Sequence, residues 1–307
     1  MIRNYGVGTR DLYQAGRRFL ERSRNAGGLS YSSVSTHAER WRIFAKFAKE
    51  NGISTLEKID KEIVVKYGEH LKIRIENEEI SVSTAQNHIS SINSVMRATP
   101  AIWTSVAPRG ELRLPARHFV RVVAPASLDA GRLDAARATL SERGDAIVGL
   151  ARQLGLRAKE ASLLDAKAAL RQAQGRGVVA ISRGTKGGRV REVPITSPRQ
   201  IEALQRAAKA QGNNGCLVPG GVSYRQWRYD ELREIRQAVK AHTGQGLHDL
   251  RASYACDRYR QLTGHDAPVV AGRMVASRAA DLAARQVIAR ELGHGRIDIT
   301  GAYLGGR

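Results

Sequence analysis

The chain has 307 residues, 42% of them hydrophobic and 26% charged, a balance that fits a folded globular protein long enough for two cores. Its 50 Lys and Arg against 29 Asp and Glu leave a net charge of +21, which suits a polyanionic partner, because each basic group that neutralises a phosphate releases a condensed counterion. Two cysteines, Cys216 and Cys256, imply neither a disulfide framework nor a metal site; with no apolar leader and no run of about 18 apolar residues, a membrane span is not expected and the cytoplasm or nucleoid is the expected compartment.

Residues 1–98 read as helices. In HAERWRIFAKFAKENG, Trp41, Phe44, Ala45 and Ala48 recur at helical spacing before a stop at Gly52. Asp60 is placed to cap a helix through Ile63, Tyr67 and Leu71. Ser83 and Gln86 have the spacing of a capping box, ahead of Ile89, Ile92 and Met96 on one face. These elements form a small bundle. Residues 99–130 bring Pro100, Pro108, Pro115 and Pro125 with little periodicity, the mark of a connecting stretch. The expected division is a domain over 1–115, a linker over 116–130 and a second domain over 131–307. The first part carries 18 basic and 12 acidic residues, the remainder 32 and 17, so the positive excess is larger beyond residue 115.

From 131 the chain turns helical again, over Asp145 to Gln153 and then LRAKEASLLD. The alternating Val and Ile positions of VVAISRGTKGGRVREVPI, residues 178–195, around a GTKGGR turn, predict a β-hairpin. Helices are expected over 198–210, 224–241, 247–262 and 275–292. The fold class is therefore mainly α with a small sheet, an α+β layout.

Four stretches carry candidate chemistry: GLRAKEASLL (155–164), RGTKGGRVREVPI (183–195), GLHDLRASYA (246–255) and LGHGRIDITGAYLG (292–305). Their order and content resemble the catalytic domain of tyrosine recombinases, the phage-integrase and Xer-type site-specific DNA recombinases. That pattern is an arginine in GLR-x-x-E, a hairpin lysine, H-x-x-R, LGH, and a tyrosine nine residues beyond the last histidine. The resemblance covers roughly 131–307 at the level of motifs, and the helical N-terminal part is similar in layout to the family's SAM-like core-binding domain.

The resemblance implies a phosphoryl-transfer site. A phosphodiester is negative and resists attack, so guanidinium groups are needed to hold its oxygens and the charge added in the transition state. Arg157 and Arg251 take that role by motif. Tyr303 becomes the nucleophile that forms a 3′-phosphotyrosyl link. Lys186 becomes the general acid for the departing 5′-oxygen. His248 becomes the group that takes the tyrosine proton or hydrogen-bonds a phosphate oxygen, and His294 a further hydrogen-bond donor to that phosphate. Glu160, three residues after Arg157, is read as an orienter of the site, and Arg183, Arg189 and Arg191 as candidate DNA-phosphate contacts. Read singly, each is ordinary: a surface arginine, a turn lysine, a half-buried tyrosine. The resemblance further implies double-stranded DNA as partner, a homotetramer on two duplexes, DNA-bending accessory proteins where the role is integration, and no cofactor or metal.

Two departures stand out. Residues 263–281 look inserted between HDLR and LGH, and four residues follow Tyr303 in this sequence, where many members of the family add a further helix. Either regulation is expected to use another element, such as the insert, or the protein is expected to assemble differently. The competing readings are a type IB topoisomerase-like enzyme, with the same tyrosine chemistry but relaxation in place of exchange, a non-catalytic DNA-binding protein of this fold, and a basic RNA-binding protein.

Overall fold

The computed structural model describes residues 3–306. The chain divides between His118 and Phe119 into two units, each built on its own hydrophobic core.

The first unit is a helical bundle of α1 (Leu12–Asn25), α2 (Tyr31–Glu50), α3 (Lys61–Glu76) and α4 (Val82–Ala98). Each helix begins on a residue whose side-chain oxygen accepts from an otherwise unpaired backbone N–H of the first turn: Asp11 from Gln14, Ser30 from Ser33, Asp60 from Ile63 and Ser81 from Thr84. Asp60 caps as its position suggests. The cap of α4 is Ser81, not Ser83, which already lies within the helix. Gln86 is drawn away from any capping role, since it donates to the Pro115 carbonyl at 2.6 Å and accepts from Arg117 at 2.7 Å. The stripe read from α2 is the core: Trp41, Phe44, Ala45 and Ala48 are buried, and Phe44 stands 5.3 Å from Trp41 and 5.2 Å from Tyr67 between ring centroids. Buried Asn93 accepts from Trp103 Nε1 and the Val106 amide, both at 3.0 Å, and donates to the Val106 carbonyl at 2.9 Å. The proline-rich stretch after α4 is thereby hydrogen-bonded to the bundle at residues 103 to 106.

The second unit is mostly helical. Its elements are α5 (Ala130–Ala138), α6 (Glu142–Leu154), α7 (Ala158–Leu163), α8 (Ala166–Arg176), β1 (Val178–Ile181), β2 (Arg191–Pro194), α9 (Pro198–Gln211), α10 (Tyr224–Tyr229), α11 (Glu231–Thr243), α12 (Leu247–Thr263), α13 (Pro268–Ala271), α14 (Arg278–Glu291) and α15 (Gly301–Leu304). The strands pair antiparallel with Val178 opposite Pro194 and Ile181 opposite Arg191. Val179, Ile181 and Val193 turn inward, as the alternation predicts. The single helix expected over 224–241 is two, broken at Asp230 (φ −94°, ψ −95°). The break lets Trp227 bury its ring and donate to Ser162 at 3.1 Å while Leu232, Ile235 and Val239 of α11 pack into the core. The stretch 263–281 is partly helical: it holds α13, and Ser277 caps α14, whose first turn lies within it.

Helix α12 runs through the middle of this unit against α6, α14 and α15. Residues 249–256 of it are buried without interruption, the signature of a helix with no solvent face. Residues 119–129 pack on the same unit. The Arg121 amide donates to the Gly301 carbonyl at 2.9 Å, and Ser127 shares a 2.5 Å hydrogen bond with Ser253 of α12. Among the described residues no helix is long and apolar enough to cross a membrane.

Candidate active site

Two glycines shape the site. Helix α6 ends at Gly155, which takes a left-handed conformation (φ +61°). A Cβ there would sit 2.5 Å from Cδ1 of Tyr254, so glycine is required for both reasons. The turn releases the Gly155 carbonyl to accept from Nη1 of Arg251 and places Arg157 just before α7. Glu160, at the third position of α7, reaches back to accept the Arg157 amide at 2.8 Å, satisfying a donor left free at the helix start.

The LGH motif is a helix terminator. Leu292 closes α14, Gly293 is left-handed (φ +67°), the Gly293 amide donates to the Arg290 carbonyl and the His294 amide to the Ala289 carbonyl. This crossed pair of bonds is the Schellman arrangement. It turns the chain back so that His294 faces α12. The Leu292 carbonyl, left free by the helix end, accepts from Nη2 of Arg251. Arg251 thus has its fork seated on two backbone carbonyls from two different helix ends.

Around it the remaining groups converge. Tyr303 is 3% exposed. Its hydroxyl lies 3.1 Å from His294 Nε2 and 3.4 Å from Arg251 Nε. Arg251 Nη2 is 3.4 Å from His294 Nε2. The rings of His248 and Tyr303 are 5.4 Å apart. Glu160 is wholly buried and binds Arg157 at 2.7 Å and Arg191 at 2.6 Å, with Arg251 at 3.9 Å. Three guanidiniums about one carboxylate leave an excess of positive charge in the site.

The electrostatics follow from burial and that charge. Burial alone would raise the Glu160 pKa, but the hydrogen bond and charge of Arg191, with the Arg157 amide and charge, hold it at about 2. Burial lowers Arg251 to about 10, which leaves it charged at neutral pH. Burial, then the charges of Arg251, Arg157 and Arg191, lower His294 to about 4. His248 keeps an edge open to solvent; crowding by protein atoms on its inner side, then Arg251, Arg157 and Arg121, push it below the ordinary histidine range. Both imidazoles are therefore neutral at pH 7.

The structure brings together Arg157, Glu160, His248, Arg251, His294 and Tyr303. Lys186 stands apart on the exposed turn between β1 and β2, and among the described residues its ammonium has no hydrogen bond or ion pair. Arg183 and Arg189 are exposed on the same hairpin, Arg183 donating to the Gly215 carbonyl at 3.3 Å. Arg191 differs from the surface phosphate contact expected of it. It is 7% exposed, with its guanidinium spent on Glu160 and on the Glu291 carbonyl at 2.8 Å. The strand alternation was its available signal, since Arg191 lies opposite Ile181 on the inward face. Asp249, passed over in the HDLR motif, is buried and paired with Arg121. Their separation in the chain left nothing local to read. Among the described residues no group of three or more His, Cys, Asp and Glu is arranged to hold a metal ion.

Residues 126–257 match the family model described as integrase. Similar solved structures include XerH site-specific recombinase bound to a palindromic difH substrate, at 14% identity over 96% of this chain and 81% of that one, TM-score 0.60. Tn1549 transposon integrase in complex with transposon right end DNA matches at 12% identity over 95% of each chain, TM-score 0.58. A lambda integrase dimer bound to a COC′ core site matches at 14% identity over 94% of this chain and 95% of that one, TM-score 0.58. No curated protein sequence matches the chain. The fold is thus that of the enzymes that bear these names. The integrase match over residues 126–257 lies within the second unit of that fold.

Proposed function

We propose that this protein is a site-specific DNA recombinase that cuts and rejoins strands through Tyr303. The observation that carries the reading is the Tyr303 hydroxyl held between His294 and Arg251, with His248 alongside. A scissile phosphate bound against Arg157 and Arg251 has its non-bridging oxygens neutralised and its transition-state charge stabilised. Tyr303 Oη attacks phosphorus, its proton passing toward His248 or His294, both neutral at pH 7. The bond from phosphorus to the 5′-oxygen breaks, and Lys186 delivers a proton to that oxygen. Glu160, ionised and paired, orients the arginines and carries no proton. The link stores the bond energy, so a 5′-hydroxyl from another strand attacks phosphorus, expels the tyrosine and completes the exchange.

Duplex DNA as the partner is supported by the net charge of +21 and by similar folds solved with DNA bound. Exchange between two duplexes calls for four protomers. Covalent capture tests the reading. The protein is incubated with fragmented host DNA and denatured, and the protein-linked strands are sequenced, with Tyr303→Phe in parallel. Linked strands that require Tyr303 and share a motif support it and reveal the site. DNA binding without linkage turns the assignment toward a binding protein of this fold, and relaxation of arbitrary supercoiled plasmid turns it toward a topoisomerase.

A further inference from the structure

Arg285 lies in the middle of α14, outside every motif above, and is 2% exposed. Its Nε donates to Asp281 Oδ1 at 2.8 Å, one turn earlier, and the same oxygen receives the Tyr259 hydroxyl of α12 at 3.0 Å. A buried guanidinium needs such an anchor. The rest of the fork leaves α14 for the segment that carries Tyr303. Nη1 donates to Thr300 Oγ1 at 3.3 Å and to the Gly305 carbonyl at 3.2 Å, and Nη2 to the Gly306 carbonyl at 3.2 Å. These acceptors stand on both sides of Tyr303. Between them α15 is only four residues long, too short to hold its own geometry by intrahelical bonds.

We propose that Arg285 is a positioning residue for Tyr303, clamping residues 300–306 so that the phenol stays aligned with Arg251 and His294. It touches neither the phenol nor the substrate, and the inference rests on the reading of Tyr303 as the nucleophile. The shape of the fork carries the effect more than its charge. A lysine keeps the ion pair with Asp281, but one ammonium cannot reach acceptors on Thr300, Gly305 and Gly306 together. Displacing a reacting group by about 1 Å costs on the order of a hundredfold in rate.

The test compares the full-length wild type, Arg285→Lys and Thr300→Val, the last of which removes one acceptor and leaves α14 untouched. Adduct formation at Tyr303 is followed on a pool of fragmented host DNA over a range of DNA concentrations, alongside thermal melting and nitration of Tyr303 by tetranitromethane without DNA. The expected result for Arg285→Lys is a plateau rate lower by on the order of a hundredfold, with the half-saturating DNA concentration unchanged, a modest drop in melting temperature from the acceptors left without a donor, and Tyr303 newly open to nitration. Thr300→Val is expected to lose less, in the same pattern. A wild-type plateau in Arg285→Lys overturns the proposal, and so does a loss matched by weakened DNA binding, which would make the residue structural only. Should Arg285→Lys fail to fold, Thr300→Val decides by the same rule. A wild type that forms no adduct refutes Tyr303 as nucleophile instead. Nitration then judges the clamp alone: protection lost in the variant supports it, equal labelling overturns it.

Discussion

The hydroxyl of Tyr303 lies 3.1 Å from Nε2 of His294, nine residues earlier in the chain. The Schellman turn at Gly293 and the short helix α15 set that distance, and Arg251 closes the third side at 3.4 Å. Tyr303→Phe removes the hydroxyl proposed as the nucleophile and leaves the ring packing in place. Covalent DNA linkage is expected to vanish while gel-shift affinity stays within about twofold, because an exposed-surface contact is not touched. Linkage that survives in this variant would locate the nucleophile elsewhere.

Arg157 stands at the start of α7, paired with Glu160, and Arg251 of α12 lies 3.4 Å from the phenol oxygen. Replacing either by Ala is expected to remove about 3 kcal/mol or more of transition-state stabilisation, the scale of losing one preorganised donor. Single-turnover cleavage should fall at least about a hundredfold. Arg251→Ala also strands the Gly155 and Leu292 carbonyls, so its melting temperature should drop more than that of Arg157→Ala. A wild-type cleavage rate in either variant removes that arginine from the chemistry.

Lys186 makes a different prediction, since it stands exposed on the hairpin turn. Lys186→Ala should leave stability unchanged and slow cleavage by about 10²- to 10⁴-fold, the usual contribution of a general acid. A substrate with sulfur in place of the bridging 5′-oxygen, which needs no protonation to leave, should restore the rate. Failure of that rescue would argue against Lys186 as the acid.

Glu160 sets an acid limit on stability. Its native pKa of about 2 lies below the unfolded value of about 4.3, so the unfolded chain takes up the proton first. Its contribution is full above about pH 4.3 and is lost as the pH falls toward 2. Glu160→Gln should cost about 3 to 5 kcal/mol at pH 7, because buried arginines lose their partner, and the gap to wild type should narrow across that acid window. His294, held at about 4 against about 6.5 unfolded, stays neutral in the native state, so it withdraws stability earlier, as the pH falls from about 6.5 to 4. Urea midpoints recorded against pH separate the two windows. A gap for Glu160→Gln that stays constant down to pH 2 would contradict the assignment.

Gly155→Ala tests the backbone beneath the site. The left-handed conformation costs about 1 to 2 kcal/mol for a residue with a Cβ, and the overlap with Tyr254 about 1 to 3 more. The urea midpoint should fall accordingly, and cleavage should fall with it because the Gly155 carbonyl seats Arg251. An Ala variant as stable as wild type would mean the turn relaxes freely.

Much of this was legible along the chain. Asp60 as a cap, the stripe Trp41, Phe44, Ala45 and Ala48, and the hairpin around Lys186 depend on neighbours a few residues away, and backbone geometry carries such signals directly into the amino-acid order. The motif residues were legible because GLR-x-x-E, H-x-x-R and LGH each encode a local turn or helix face. The break at Asp230 was not, since it answers to Trp227 reaching Ser162 across 65 positions.

By itself the sequence determined which residues could form the site and the local turns that aim them: the glycine before Arg157, the helix end before His294, the nine-residue step to Tyr303. Only the tertiary structure decided which of the many arginines serve inside. Arg191 is committed to Glu160, Arg121 to Asp249, and Arg285 to the carbonyls around Tyr303. A guanidinium looks the same in any sequence, and whether it meets solvent or a buried carboxylate depends on how helices far apart in the chain pack against one another.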